Sequence, residues 1–189
     1  PPLPPLPPLS PGYVAAASED DLRSLIEDAT STAANVSIYL PPGAEFKLGS
    51  QISCSSTIKV TVASSGEGAT LDGQRESRLF YLEGGCSLTL RGLNLVNGRG
   101  AAGCVWVDDE CKKEGEEYEE YEGEEYEYEE GQGEEYGGVV HGEEYGGVVH
   151  ANNAGDIEII DSTMTGCSAE YGGVVAAYES GAVSIIGST

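Results

Sequence analysis

The sequence predicts an all-β fold: a right-handed parallel β-helix, or solenoid, closed at one end by an N-terminal capping α-helix. Three observations carry this expectation. Residues 145–163 and 171–189 read YGGVVHANNAGDIEIIDST and YGGVVAAYESGAVSIIGST, two copies of one unit held at an offset of 26 residues. A repeat of this length, built from short β-branched runs between Gly, Asn and Ser, marks turns of chain that stack on one another. Within each run the apolar side chains alternate: Ile157 and Ile159 share one face with Glu158 on the other, as a strand with one buried side requires. By the same alternation Val149 and Ala151 should point inward, and Val148 and His150 outward. Lastly, the template repeats backwards. Leu79-Phe80-Tyr81-Leu82, then Leu88-Thr89-Leu90 and Leu95, match Val148 to Ala151, Ile157 to Ile159 and Met164. A further coil start is expected at GCVWV, residues 103–107, with Val105 facing inward like Phe80, Val149 and Val175.

Residues 1–17 read as a tether. PPLPPLPPLSP is a polyproline II segment, stiff and unable to pair into a sheet, and a linker more naturally than a ligand for an SH3 or WW groove. From residue 18 the coils begin. Ser18 is placed to cap a helix, with Asp21 at the capping-box position and three acids in the first turn suiting the helix dipole. Leu22, Leu25, Ile26 and Ala29 follow helical spacing. The expected role of this helix is to cover the open end of the stack, where apolar core and strand edge are otherwise exposed. Short strands follow at Val36 to Leu40, Phe46 to Leu48, Ile52, Ile58 to Val62 and Ala69 to Leu71, separated by Pro, Gly and Ser turns.

The succession of a helix, then SIYLPPGAEFKLGSQIS, TIKVTVASSGEGATLDG and SRLFYLEGGCSLTLRGLNLVNG, resembles the opening of right-handed parallel β-helix proteins of the pectin-lyase-like superfamily. The GGVV coils resemble the GGAI-type repeats of polymorphic outer-membrane and adhesin-like members. The resemblance covers residues 18–107 and 145–189, and it implies fold far more directly than activity.

Residues 108–144 break the pattern. This Glu/Tyr/Gly tract holds more than half of the chain's acidic side chains and is read as a low-complexity insert. EEYGGVVH occurs in it at 134–141 and again at 143–150, too close for two coils. The second copy is in register, and the first reads as a slipped duplication without function.

The net charge of -24 repels phosphate backbones and argues against a nucleic-acid partner. No apolar run is long enough for a membrane span. Five cysteines, Cys54, Cys86, Cys104, Cys111 and Cys167, lack metal-type spacing, and their odd number fits buried free thiols better than a complete disulfide framework. No zinc or other cofactor is expected. The acidic tract offers at most weak, diffuse Ca²⁺ binding, since a specific site needs a cage of about 6 to 8 oxygens.

Enzymes of the resembling superfamily include pectate lyases, with acidic Ca²⁺ sites and an Arg base, and polygalacturonases, with paired carboxylates in NTD, DD, GHG and RIK motifs. Here Asp108-Asp109 offers a DD beside the acidic tract, NTD, GHG and RIK are absent, and Arg91 and Arg99 sit in no matching motif. A solvated start to the acidic tract explains Asp108 and Asp109 more simply. His141 and His150 both belong to the duplicated octapeptide, so their presence follows from the duplication. Asn94, Asn97, Asn152 and Asn153 suit turns, and Asn35-Val36-Ser37 is a short glycosylation pattern.

One surface feature remains. Tyr81, Trp106 and His150 are expected in one outward column on successive coils, a row of flat rings suited to a sugar chain or a protein. The competing explanation is strand propensity alone. The expected function is therefore a non-catalytic extracellular or cell-surface scaffold for adhesion or carbohydrate binding. The alternative is a polysaccharide lyase or glycoside hydrolase whose active site lies in further coils, expected beyond Thr189 because the last coil carries no cap.

Overall fold

The computed structural model describes residues 12–100, 105–107, 110–112, 146–169 and 172–189. The chain enters through β1 (Tyr13–Ala15) and α1 (Glu19–Thr32), then visits three sheets in a fixed order. The first coil is β2 (Val36–Tyr39), β3 (Glu45–Lys47) and β4 (Ile52–Cys54). The second is β5 (Lys59–Ala63), β6 (Ala69–Asp72) and β7 (Phe80–Glu83). The third opens with β8 (Ser87–Arg91) and β9 (Leu93–Val96). After β10 (Val105–Val107) and β11 (Glu110–Lys112) it closes with β12 (Val149–Asn152). β13 (Ile157–Ile160), β14 (Thr163–Thr165) and β15 (Val175–Tyr178) make the fourth, and β16 (Val183–Ile186) begins the next. The result is a β-solenoid of about 5 turns capped by one helix.

The first sheet runs β1-β2-β5-β8-β13-β16, the second β3-β6-β9-β14 and the third β4-β7-β12-β15. Every pair in them is parallel. The inward side chains therefore stack in register. Ile38, Val62, Leu90, Ile159 and Ile185 form one column of the first sheet. Phe46, Leu71, Leu95 and Met164 line the second, and Ile52, Phe80, Val149 and Val175 the third. Val149 lies over Val175, as the repeat requires, and Phe80, Val149, Ile157 and Ile159 are buried.

The corner between the first and second sheets shows why the strands stop where they do. Gly92, Asp161 and Gly187 occupy equivalent places on successive coils with φ of 62°, 48° and 61°. One left-handed residue turns the chain sharply there, and only Gly, Asn and Asp adopt that backbone readily. The turn is held coil to coil by backbone bonds, Gly92 N to Ile160 O at 3.0 Å and Asp161 N to Ile186 O at 2.8 Å. Asn side chains add ties between coils: Asn97 Nδ2 donates to Asp72 Oδ1 at 2.9 Å, and Asn35 Oδ1 accepts the Lys59 N–H at 2.7 Å. Asn97 and Asn153 take the left-handed turn geometry expected of them, whereas Asn94 and Asn152 lie within strands.

Helix α1 forms as its sequence dictates. Ser18 Oγ accepts the Asp21 N–H at 3.1 Å and Asp21 Oδ2 accepts the Ser18 N–H at 3.1 Å, a complete capping box. Leu22, Ile26 and Ala29 are buried in the cluster that contains Ile38 and Leu40, so the helix seals the first coil.

Four expectations are corrected. Tyr13–Ala15 is not tether: it pairs with Ser37 to Tyr39 and adds a rung to the first sheet, because its backbone groups meet the free edge of β2. Pro1 to Pro11 lie outside the described residues. Val148 is not outward but fully buried: it precedes the strand at a bend, where strand alternation does not yet apply, and its N–H already bonds to Val174 O at 2.9 Å. Residues 103–107 do not begin a coil. β10 pairs antiparallel with β11, while β7 pairs directly with β12, leaving no place for a rung between them. The excursion therefore falls in residues 102–143, a separate compact unit in which the described residues form this hairpin. Finally, Cys54 and Cys86 are a disulfide with Cα atoms 6.1 Å apart. The coil geometry brings the end of β4 to the corner after β7, a proximity that spacing along the chain does not reveal. Cys167 carries a free thiol.

Candidate functional site

The outer face of the third sheet carries a row of three rings, Tyr81, His150 and Tyr178. Register places Ser53, Tyr81, His150 and Ala176 in one outward column, and Glu83, Asn152 and Tyr178 in the next. The rings of Tyr81 and His150 meet edge to face, with centroids 5.4 Å apart and planes at 74°. Tyr178 reaches diagonally to the other side of His150, centroids 6.3 Å apart at 75°. Diagonal neighbours on a sheet lie within reach of an aromatic side chain, so the row continues past Ala176, where the column itself has no ring.

Polar groups fix this row. Tyr81 Oη donates to Glu83 Oε2 at 3.3 Å. Burial first, and then the charge of Glu83, raise the Tyr81 phenol above its usual range, so it remains a neutral donor. Behind the rings Arg78 is 7% exposed, and one of its guanidinium nitrogens, Nη1, bonds to His150 Nδ1. Arginine can only donate, so Nδ1 must accept, which places the imidazole proton on Nε2. Burial, reinforced by the Arg78 charge, brings the His150 pKa down from 6.5 to about 4, and the ring is neutral at physiological pH. Arg78 Nε has no hydrogen-bond partner among the described residues.

Of the three residues expected in the outward column, the structure brings Tyr81 and His150 together, and Trp106 is not on a rung of the third sheet. Trp106 belongs to the hairpin, in register with Cys111, and β7 and β12 are direct neighbours. Asp108, Asp109 and His141 lie outside the described residues. Tyr178 and Arg78 were missed. The repeat offset carries a signal for Tyr178, because it sets this residue opposite Asn152, two positions on from the partner of His150. Arg78 sits at a corner before the strand, where no periodicity applies.

A polar groove lies at the other end of the same column. Arg23, Glu27, Thr30 and Ser31 of α1 face Gln51, Ser53 and Ser55 across a volume of about 320 Å³. Arg23 is held rigidly there, with Nε on Glu19 Oε1 at 2.6 Å, Nη1 on Gln51 O at 2.9 Å and Nη2 on Ser50 O.

Among the described residues no cluster of His, Cys, Asp or Glu is suited to a metal ion, and no helix is long and apolar enough to cross a membrane. No protein-family model, curated protein or solved structure matches this chain.

Proposed function

We propose that the solenoid is a non-catalytic extracellular or cell-surface scaffold that binds carbohydrate, and through it mediates adhesion, along the outer face of its third sheet. The observation that carries this reading is the ring row Tyr81, His150 and Tyr178. Successive coils, about 4.8 Å apart, set its ring centroids 5.4 and 6.3 Å apart, comparable with the length of one pyranose unit. Rings with an apolar face and a polar rim suit sugars, which present C–H faces and hydroxyl edges. Glu83 Oε2 and Tyr81 Oη supply polar groups beside those rings. The Cys54–Cys86 bridge supports an oxidising compartment, and the resemblance of the GGVV coils to adhesin-like repeats points the same way.

Retention on an array of immobilised cell-wall and cell-surface polysaccharides tests the proposal. Tyr81→Ala should lower affinity for the retained polymer by about tenfold, the equivalent of ~1.4 kcal/mol lost with one stacking ring. Retention equal to that of the unmodified protein would refute the assignment.

A further inference from the structure

We infer that the groove between α1 and β4 is the terminal subsite of this row and takes the end unit of a neutral saccharide chain running along the coil-stacking axis. The inference rests on the carbohydrate reading above and assigns its ligand class and polarity. Two independent observations converge. Ser53, which lines the groove, is the register neighbour of Tyr81, so a chain lying over the rings meets the groove one coil later. The groove is also lined wholly by polar side chains and spans about 320 Å³, at the small end of ligand sites.

The lining chemistry selects the ligand. Glu27 is exposed and has no hydrogen bond or ion pair among the described residues, leaving its carboxylate open to accept from hydroxyls. Gln51, Ser53 and Ser55 add groups that both donate and accept. Arg23 is committed to Glu19 and to the Ser50 and Gln51 carbonyls, so the cation is spent on holding the groove open. A uronate would bring a second negative charge to Glu27 in a strongly acidic chain. A neutral hexose offers vicinal hydroxyls, for which the acceptor and hydroxyl set is matched. Helix α1 then has two duties, sealing the core with Leu22 and Ile26 and walling the groove with Arg23 and Glu27.

The test uses the full chain and labelled gluco-, manno-, galacto- and xylo-oligosaccharides of two to six units, alongside uronate oligomers. Glu27→Ala and Ser53→Leu both change exposed positions, and retention of the thermal unfolding midpoint controls for folding. For the unmodified protein, affinity should rise with length as the chain comes to span row and groove. Both variants should remove about fivefold of that gain for the longer neutral oligomers while leaving the shortest ones unaffected. If Tyr81→Ala weakens binding but Glu27→Ala and Ser53→Leu do not, the groove assignment falls and the row stands. Retention confined to uronate oligomers overturns the neutral class. Absence of any retention overturns both.

Discussion

His150 is the residue at which stability and the binding face meet. Its ring packs between Tyr81 and Tyr178 while Nδ1 accepts from the buried Arg78. Protonation would set a second cation against that guanidinium, with Glu83 reached only through Tyr81. With a folded pKa of about 4 against 6.5, the unfolded chain takes up a proton over that interval and the folded protein does not. The stability that the neutral ring contributes is therefore full above about pH 6.5, declines as pH falls towards 4 and is flat below. Urea unfolding at stepped pH should show this decline, and His150→Gln should remove it. An unchanged slope would mean that the ring is not held neutral by its surroundings. Asp21 works at lower pH. The Ala17 and Ser18 N–H groups and the Ser18 hydroxyl hold its carboxyl below 3.8, and this contribution is lost as acid protonates it. The outward placement of His150 was legible from period-2 alternation. The depth of Arg78 was not, because corner residues obey neither strand nor helix period.

At the scale of elements, the cap and the bridge protect the same end of the stack. The capping box was readable because Ser18 and Asp21 stand three apart before an apolar helical stripe, and the bonds form as expected. Ser18→Ala should cost about 1 kcal/mol of unfolding free energy, measured in denaturant, by stripping the Asp21 N–H of its acceptor. The Cys54–Cys86 bridge joins the first coil to the corner before the third, beneath the helix, where Thr30 Oγ1 lies 4.0 Å from Cys54 Sγ. Closing a loop across 32 positions restricts the unfolded chain, and Cys86→Ala should lower stability by about 3 to 4 kcal/mol. Equal stability with and without reductant would contradict that. Cysteine counting pointed to free thiols because the pairing depends on how the coils are folded around the corners. β1 escaped notice for a related reason: three residues carry no periodicity, and only the free edge of β2 makes them a strand.

For the whole molecule, the decisive fact is that a long excursion leaves the stack undisturbed. Across it the register offset is 69, as in Thr89 with Glu158, and on the next coil it returns to 26, as between Ala154 and Ser180. The repeat made the two final coils legible, and the alternation in residues 36–96 made the earlier ones legible. Trp106 misled because a short alternating run fits a hairpin as well as a coil rung. At the far end Val183 and Ile185 are 44% and 47% exposed, whereas their equivalents Ile157 and Ile159 are fully buried. Each coil is thus protected by its neighbour rather than by its own sequence. Replacing residues 102–143 with a short Gly/Ser linker should leave the thermal midpoint of the solenoid nearly unchanged, and loss of cooperative unfolding would contradict this.

The most direct test of the stacking itself is a methyl-to-methyl NOE experiment on the full chain. It should show cross-peaks from Leu82 to Ala151 and from Val149 to Val175, the register neighbours of the third sheet. It should also connect Leu90 to Ile159 and Ile159 to Ile185 in the first. Cross-peaks from Leu82 to Val105 or Val107 in place of Ala151 would insert a rung where the structure has none, and would contradict the fold from which the binding face follows.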